Sequence, residues 1–252
     1  MQKVRAKKAL GQHFLKDLSA ARAIVDALQP QGNYANVIEI GPGMGVLTQF
    51  LVQRTDITTH LIEIDTESVA YLRQHYPEFQ GDRLREGDFL QYHLQTMVGD
   101  APFGIIGNFP YFISSQIFFR ILEYKDQCLE VVGMLQKEVA QRLAAKPGSK
   151  DYGILSVLLQ AYYDVEYVFS LGPEAFVPPP KVHSGVIRLV RNPSKTLDCD
   201  PSRFKAIVKM AFNQRRKTLR NALRAMQLPE DDLLNKRAEQ LSVADFVYLA
   251  NR

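Results

Sequence analysis

The order of apolar and polar residues along the chain alternates between two rhythms. VIEIG (37–41) is a short apolar run that reads as a buried strand, and THLIEID (59–65) and FGIIG (103–107) read as further strands. A further short strand ends near GDF (87–89), and CLEVVGMLQ (128–136) predicts another. Between and around these, DLSAARAIVDAL (17–28) spaces Leu18, Ala21, Ile24, Val25 and Leu28 on one helical face, with Asp17 or Ser19 at the cap. VLTQFLVQR (46–54), TESVAYLRQHY (66–76), SQIFFRILEY (115–124), KEVAQRLAA (137–145) and YGILSVLLQAYY (152–163) also read as helices. VEYVFSL (165–171) and GVIRLVR (185–191) are two last strands joined by a proline-rich loop. Strands alternating with helices predict an α/β fold, a mostly parallel sheet with helices on both faces. The final strand pair predicts an antiparallel hairpin at one side. NPSKTLDCDP (192–201) has linker composition, so the expected division is a main domain at 1–191 and a small helical domain at 192–252.

Charge changes this picture. The net charge is only +4, yet Lys3, Arg5, Lys7, Lys8 and Lys16 stand in residues 1–16 with no acid. Arg203, Lys205, Lys209, Arg215, Arg216, Lys217, Arg220 and Arg224 fill residues 203–224, again with no acid. These two segments carry +13, leaving −9 for the remainder. Basic ends on an acidic body point to a polyanionic partner. Two cysteines, Cys128 and Cys199, form no disulfide framework, so a reducing cytoplasm is expected. Five scattered histidines lack metal-ligand spacing, so no metal is expected. No apolar run reaches the roughly 20 residues of a membrane span, and the basic N-terminal stretch lacks the apolar core of a secretory signal. A monomer is the default expectation.

Chemistry concentrates at the ends of the predicted strands. EIGPGMG sets Gly41, Gly43 and Gly45 between a strand and a helix, where a doubly wound sheet binds ligands. The dinucleotide fingerprint needs Gly or Ala where Val46 stands, which argues against a pyrophosphate. Glu63 lies 22 residues beyond Gly41 at the end of the second strand, where a carboxylate accepts from ribose hydroxyls. Asp88 closes the third strand and can accept from an exocyclic adenine amine; Asn108 closes the fourth. An adenosine ligand without a phosphate site points to S-adenosylmethionine, whose sulfonium already activates the methyl.

GNFPYF (107–112) brings an amide, a free carbonyl and an aromatic face into one loop. An adenine amine is a poor nucleophile because its lone pair is delocalised into the ring. Two acceptors on its hydrogens, the Asn108 side-chain oxygen and the Pro110 carbonyl, would expose that lone pair. Tyr111 would stack on the unpaired base, and Phe112 could widen the platform. The PPP run at 178–180 makes a stiff loop ahead of Lys181 that could wall the base pocket, with Phe176 pressing on the flipped base. Arg215, Arg216, Lys217 and Arg220 are too dense for one helix stripe and fit a basic turn reaching phosphates.

With these motifs the sequence resembles the ribosomal RNA adenine dimethyltransferases over almost its whole length, and most of all those acting on the small subunit (16S) RNA. KKALGQHFLKD (7–17), EIGPGMGVLT (39–48), EID (63–65), EGDFL (86–90) and NFPY (108–111) are similar to the family's successive motifs. MLQKEVAQRL (134–143), FVPPPKVHSGVIRL (176–189) and AFNQRRKTLRNAL (211–223) look like its later signatures. The resemblance implies a Rossmann-like class I S-adenosylmethionine-dependent methyltransferase domain with a mostly parallel seven-stranded sheet, plus a small all-helical C-terminal domain. It implies cofactor contacts from His13, Leu15, Gly41, Gly43, Glu63, Asp88 and Asn108, with His13 acting through its backbone or its imidazole. It implies dimethylation of two adjacent adenines in a hairpin loop near the 3′ end of small-subunit rRNA, in an assembling subunit. The chain departs from the family's pattern at His13 and Phe112, where Asn is frequent. The rivals are a large-subunit rRNA methyltransferase, an assembly factor with little turnover, and a nicotinamide-dependent oxidoreductase.

Overall fold

The computed structural model describes Lys7 and residues 11–252. In chain order the first half holds β1 (Phe14–Leu15), α1 (Leu18–Asp26), β2 (Asn36–Ile40), α2 (Thr48–Leu51), β3 (Thr58–Glu63), α3 (Thr66–His75), β4 (Leu84–Glu86), α4 (Gln95–Val98), β5 (Phe103–Asn108) and α5 (Ser114–Glu123). There follow β6 (Cys128–Gln136), α6 (Lys137–Ala144), α7 (Ile154–Gln160), β7 (Tyr163–Leu171), β8 (Phe176–Val177), β9 (Ser184–Arg191), α8 (Pro201–Asn213), α9 (Leu219–Ala222) and α10 (Val243–Ala250).

Seven strands form one sheet in the order β4-β3-β2-β5-β6-β9-β7. The ladders from β4 through β6 are parallel, and β9 runs antiparallel to β6. This is the mostly parallel seven-stranded sheet expected, with β7 and β9 neighbours at one side as the apolar runs predicted. Asp17 caps α1 by accepting from the amides of Ser19 and Ala20. Ala20, Ala21, Ile24 and Val25 of α1 then bury against Val37, Ile106, Val132 and Val186 of the sheet. Val69 and Leu72 of α3 join Leu61, Phe79 and Leu84 in a second cluster. Helix α2 is shorter than its apolar spacing predicts, because residues 43–47 form turns rather than helix.

One pairing is absent from the sequence reading. β1 and β8 make a separate two-stranded antiparallel ladder, with Phe14 opposite Val177 and Leu15 opposite Phe176. It fastens the segment ahead of α1 to the proline-rich loop.

The chain divides into two compact units: residues 1–140 with 166–190, and residues 141–165 with 191–252. The division is not the single cut at 191 expected from the linker. Helix α7 is apolar along most of its length and belongs with the C-terminal helices. In that second unit the rings of Tyr152, Phe212 and Phe246 pack in sequence, 6.1 and 6.0 Å apart. Asp200 caps α8, and Ser242 with Asp245 forms a capping box on α10. No helix among the described residues is long and apolar enough to cross a membrane.

Candidate active site

The chain leaves β2 for β3 on one side and later returns to place β5 on the other. At such a reversal the loops beyond the strand ends part, and a crevice opens. A cavity of about 310 Å³ occupies it. Its walls are the glycine loop after β2, Glu63 and Ile64, residues 87–90, residues 108–113, and the segment 11–15.

Gly41, Gly43 and Gly45 have φ of +63°, +57° and +81°, a region closed to most side chains. At Gly45 a Cβ would also lie 2.5 Å from the Tyr76 ring, whose hydroxyl donates to the Gly45 carbonyl. The loop therefore brings bare backbone to the cavity. The Gly43 amide donates to Glu63 Oε2 and the Asp65 amide to Oε1, both at 2.9 Å. Each oxygen keeps a lone pair, so the carboxylate is oriented and still able to accept. Burial holds the Glu63 carboxyl above its ordinary range, against the pull of those amides. Asp88, half-buried, accepts from the Leu90 amide and the Gln91 side chain.

Beneath the loop, Glu39 is fully buried and accepts from the Thr48 hydroxyl at 2.7 Å. Burial pushes its carboxyl from an ordinary 4.5 up to about 8, the Thr48 hydrogen bond opposing and Glu63 adding. The folded state then holds a proton that the unfolded chain releases above pH 4.5. The resulting stabilisation is complete below that pH and disappears as pH rises through about 8. Thermal melts are expected to show Tm falling from about pH 5 to about pH 8 in the native protein and a flatter profile in Glu39→Gln. Identical profiles would refute a proton on Glu39.

Asn108 ends β5, and its Nδ2 donates to the His13 carbonyl at 3.0 Å. Among the described residues nothing donates to its Oδ1, which is left as an acceptor at the cavity. The Pro110 carbonyl accepts from the Ile113 amide at 3.2 Å and keeps its second lone pair. Tyr111 is stacked against His13, ring centroids 5.6 Å apart at 26°. The His13 Nδ1 donates to the Pro178 carbonyl at 2.9 Å. Lys7 bridges to Asp65 and Glu67, at 2.5 and 3.1 Å, beside the end of β3. Segment 11–15 is thus held across the cavity from several directions.

The family described as ribosomal RNA adenine dimethylase matches residues 3–252. The chain belongs to the ribosomal RNA adenine dimethylase family. A relative from Bacteroides fragilis, "Ribosomal RNA small subunit methyltransferase A", is 53% identical over 257 residues, covering 100% of this chain and 93% of its own. Two solved structures share the fold. A dimethyladenosine transferase from Plasmodium falciparum superposes with a TM-score of 0.77 at 24% identity, over 94% of this chain and 96% of that one. The 23S rRNA methyltransferase ErmE does so with 0.71 at 24% identity, over 95% and 100%.

Among the residues expected to serve this adenine dimethylase, His13, Leu15, Gly41, Gly43, Glu63, Asp88, Asn108, Pro110 and Tyr111 all line the one cavity. Phe176 does not. It was expected against the target base, but its ring is 1% exposed and sits in the core with Leu15 and Val186. Side chains alternate along a strand, so in β8 Phe176 turns inward and Val177 outward. Lys181 is exposed on the loop before β9. Residues 214–217 do form a turn between α8 and α9, and Arg216 and Lys217 are exposed on it. Arg215 donates to the Lys150 carbonyl, and Arg220 pairs with Glu230 and Asn235, so both are engaged within the unit. Lys3, Arg5 and Lys8 lie outside the described residues.

Sequence reasoning overlooked Phe109, the anchor of the loop at 108–113. It is 1% exposed, its amide donates to the Met134 carbonyl, and its ring lies on Gly107 and Gly133. A Cβ on Gly133 would come within 2.4 Å of that ring. Glycines inside two adjacent apolar strands were the available signal, since they mark a close approach.

Proposed function

We propose that the chain moves methyl groups from S-adenosylmethionine to N6 of two adjacent adenines in a hairpin loop near the 3′ end of small-subunit rRNA. Family membership makes it an rRNA adenine dimethyltransferase, and the full-length relative is named for the small subunit. That the sheet is shared with a 23S enzyme means the fold does not choose the RNA; the 53% identity over the whole chain favours the small subunit.

The cavity fits the donor. Its walls include bare backbone, apolar side chains and the carboxyl groups of Glu39, Glu63 and Asp88; on this reading Glu63 accepts from a ribose and Asp88 from an adenine amine. S-adenosylmethionine, when bound, supplies a methyl on a positively charged sulfur. The protein's part is orientation and charge placement. Asn108 Oδ1 and the Pro110 carbonyl accept the two hydrogens of the adenine amine and localise its lone pair. Tyr111 carries the base by stacking, and segment 11–15 shields the reaction from water. The observation that carries this reading is the Asn108 amide: its nitrogen is engaged by His13, so its oxygen is left free at the cavity. On the same reading the enzyme acts as a monomer in the cytoplasm on an assembling small subunit, with exposed Arg216 and Lys217 reaching phosphates. The two free cysteines fit a reducing compartment.

Small- and large-subunit particles are each incubated with the protein and labelled S-adenosylmethionine, digested and analysed by mass spectrometry; the small-subunit particles are expected to carry two neighbouring N6,N6-dimethyladenosines. Label on a large-subunit adenine alone, or none, would overturn the proposal.

A further inference from the structure

We infer that Ser184 is a positioning residue for methyl transfer: its hydroxyl fixes the Tyr111 ring edge-on, so that a single ring face is presented to the target base. The inference rests on the function proposed above. Tyr111 opens a one-turn 3-10 helix (Tyr111–Ile113) at the mouth of the cavity, where no regular element constrains its side chain. Its hydroxyl lies 2.6 Å from the Ser184 hydroxyl, 73 residues away in the chain. No other hydrogen bond reaches the phenol oxygen among the described residues.

Ser184 is otherwise hard to explain. It is 0% exposed at the start of β9, opposite Gln136 of β6, and Gly185, Val186 and Ile187 after it are buried. A buried hydroxyl is costly unless hydrogen-bonded, and an alanine there would suit the core better. Among the described residues the one partner of its hydroxyl is Tyr111. The opposing constraint is His13, whose imidazole covers one face of the ring and is itself held by the Pro178 carbonyl. With the edge pinned and one face covered, the remaining face is left for a base. A platform fixed beforehand loses little freedom when the base arrives, and that saving appears in the rate.

A double-mutant cycle tests this. Single-turnover methyl transfer to small-subunit particles is compared for the native protein, Ser184→Ala, Tyr111→Phe and the double variant. Each single change is expected to slow transfer about tenfold, the scale of one lost hydrogen bond, with little change in KM for RNA. The double variant is expected to be no slower than either single one. Ser184→Cys keeps the size but is a weak donor, so it should follow Ser184→Ala; it also covers the case in which the alanine variant folds poorly. The fluorescence of 2-aminopurine placed at the target position should be quenched by stacking in the native protein and less so in Ser184→Cys. Effects that multiply to about a hundredfold in the double variant, native transfer by Ser184→Cys, or undiminished quenching in it, would each remove the role from Ser184 while the methyltransferase reading stands. A native protein that modifies no small-subunit adenine would overturn that reading and this role with it.

Discussion

Asn108→Ala is expected to lower methyl transfer by about a hundred- to a thousandfold, the range seen when one preorganised polar group is removed from a reaction centre. The argument starts from the amide's two ends. Nδ2 is tied to the His13 carbonyl, so Oδ1 cannot rotate away from the cavity. Alanine removes the acceptor that localises the adenine lone pair and also leaves the His13 carbonyl without its donor. The first loss falls on the chemical step and the second loosens segment 11–15, raising KM for the methyl donor. RNA affinity rests on other surfaces and should stay near native. Single-turnover kinetics at saturating donor, with filter binding of rRNA alongside, separate these terms. Transfer within a few-fold of native would remove Asn108 from the mechanism.

Phe109→Ala is expected to destabilise the protein by about 3–5 kcal/mol, as for other large aromatic deletions from a core. Its ring fills the space left by Gly107 and Gly133 and meets Phe118 edge-to-face at 5.9 Å. The positions beneath the ring are glycines on paired strands, which have no side chain to fill the void. Asn108 and Pro110, the groups proposed to grip the adenine amine, flank this anchor, so transfer should fall well below what the lost stability alone predicts. Urea unfolding with Asn108→Ala as comparator checks the distinction: that change should cost little stability, whereas Phe109→Ala should cost both. A shift in ΔG under about 1 kcal/mol, far below the usual cost of a phenylalanine-to-alanine core truncation, would show that the ring is not the anchor.

The sheet was legible because strands covered on both faces must be apolar, and the runs at 37–41, 59–65, 103–107 and 128–136 are. The lining of the crevice was legible for a related reason: sheet topology forces strand ends together, so residues at successive ends must converge on one crevice. Long-range pairings were not legible. Nothing local in Phe14 and Leu15 names Phe176 and Val177 as partners, so Phe176 was expected against the target base. Ser184 went unremarked because a serine beside a histidine and a glycine looks like the end of a loop; only the fold discloses that it is buried. The C-terminal boundary was misjudged for the same reason, since α7 resembles any sheet-covering helix until its neighbours are known.

The ladder of β1 with β8 has a bearing on synthesis. Its first strand leaves the exit tunnel long before its second, and the His13–Pro178 contact spans 165 positions. A nascent chain can assemble most of the parallel sheet while this wall of the crevice is still missing. The pocket is therefore finished only once the chain has passed residue 178, well after most of the parallel sheet, and a truncated product ending before residue 176 would be a sheet without a complete pocket.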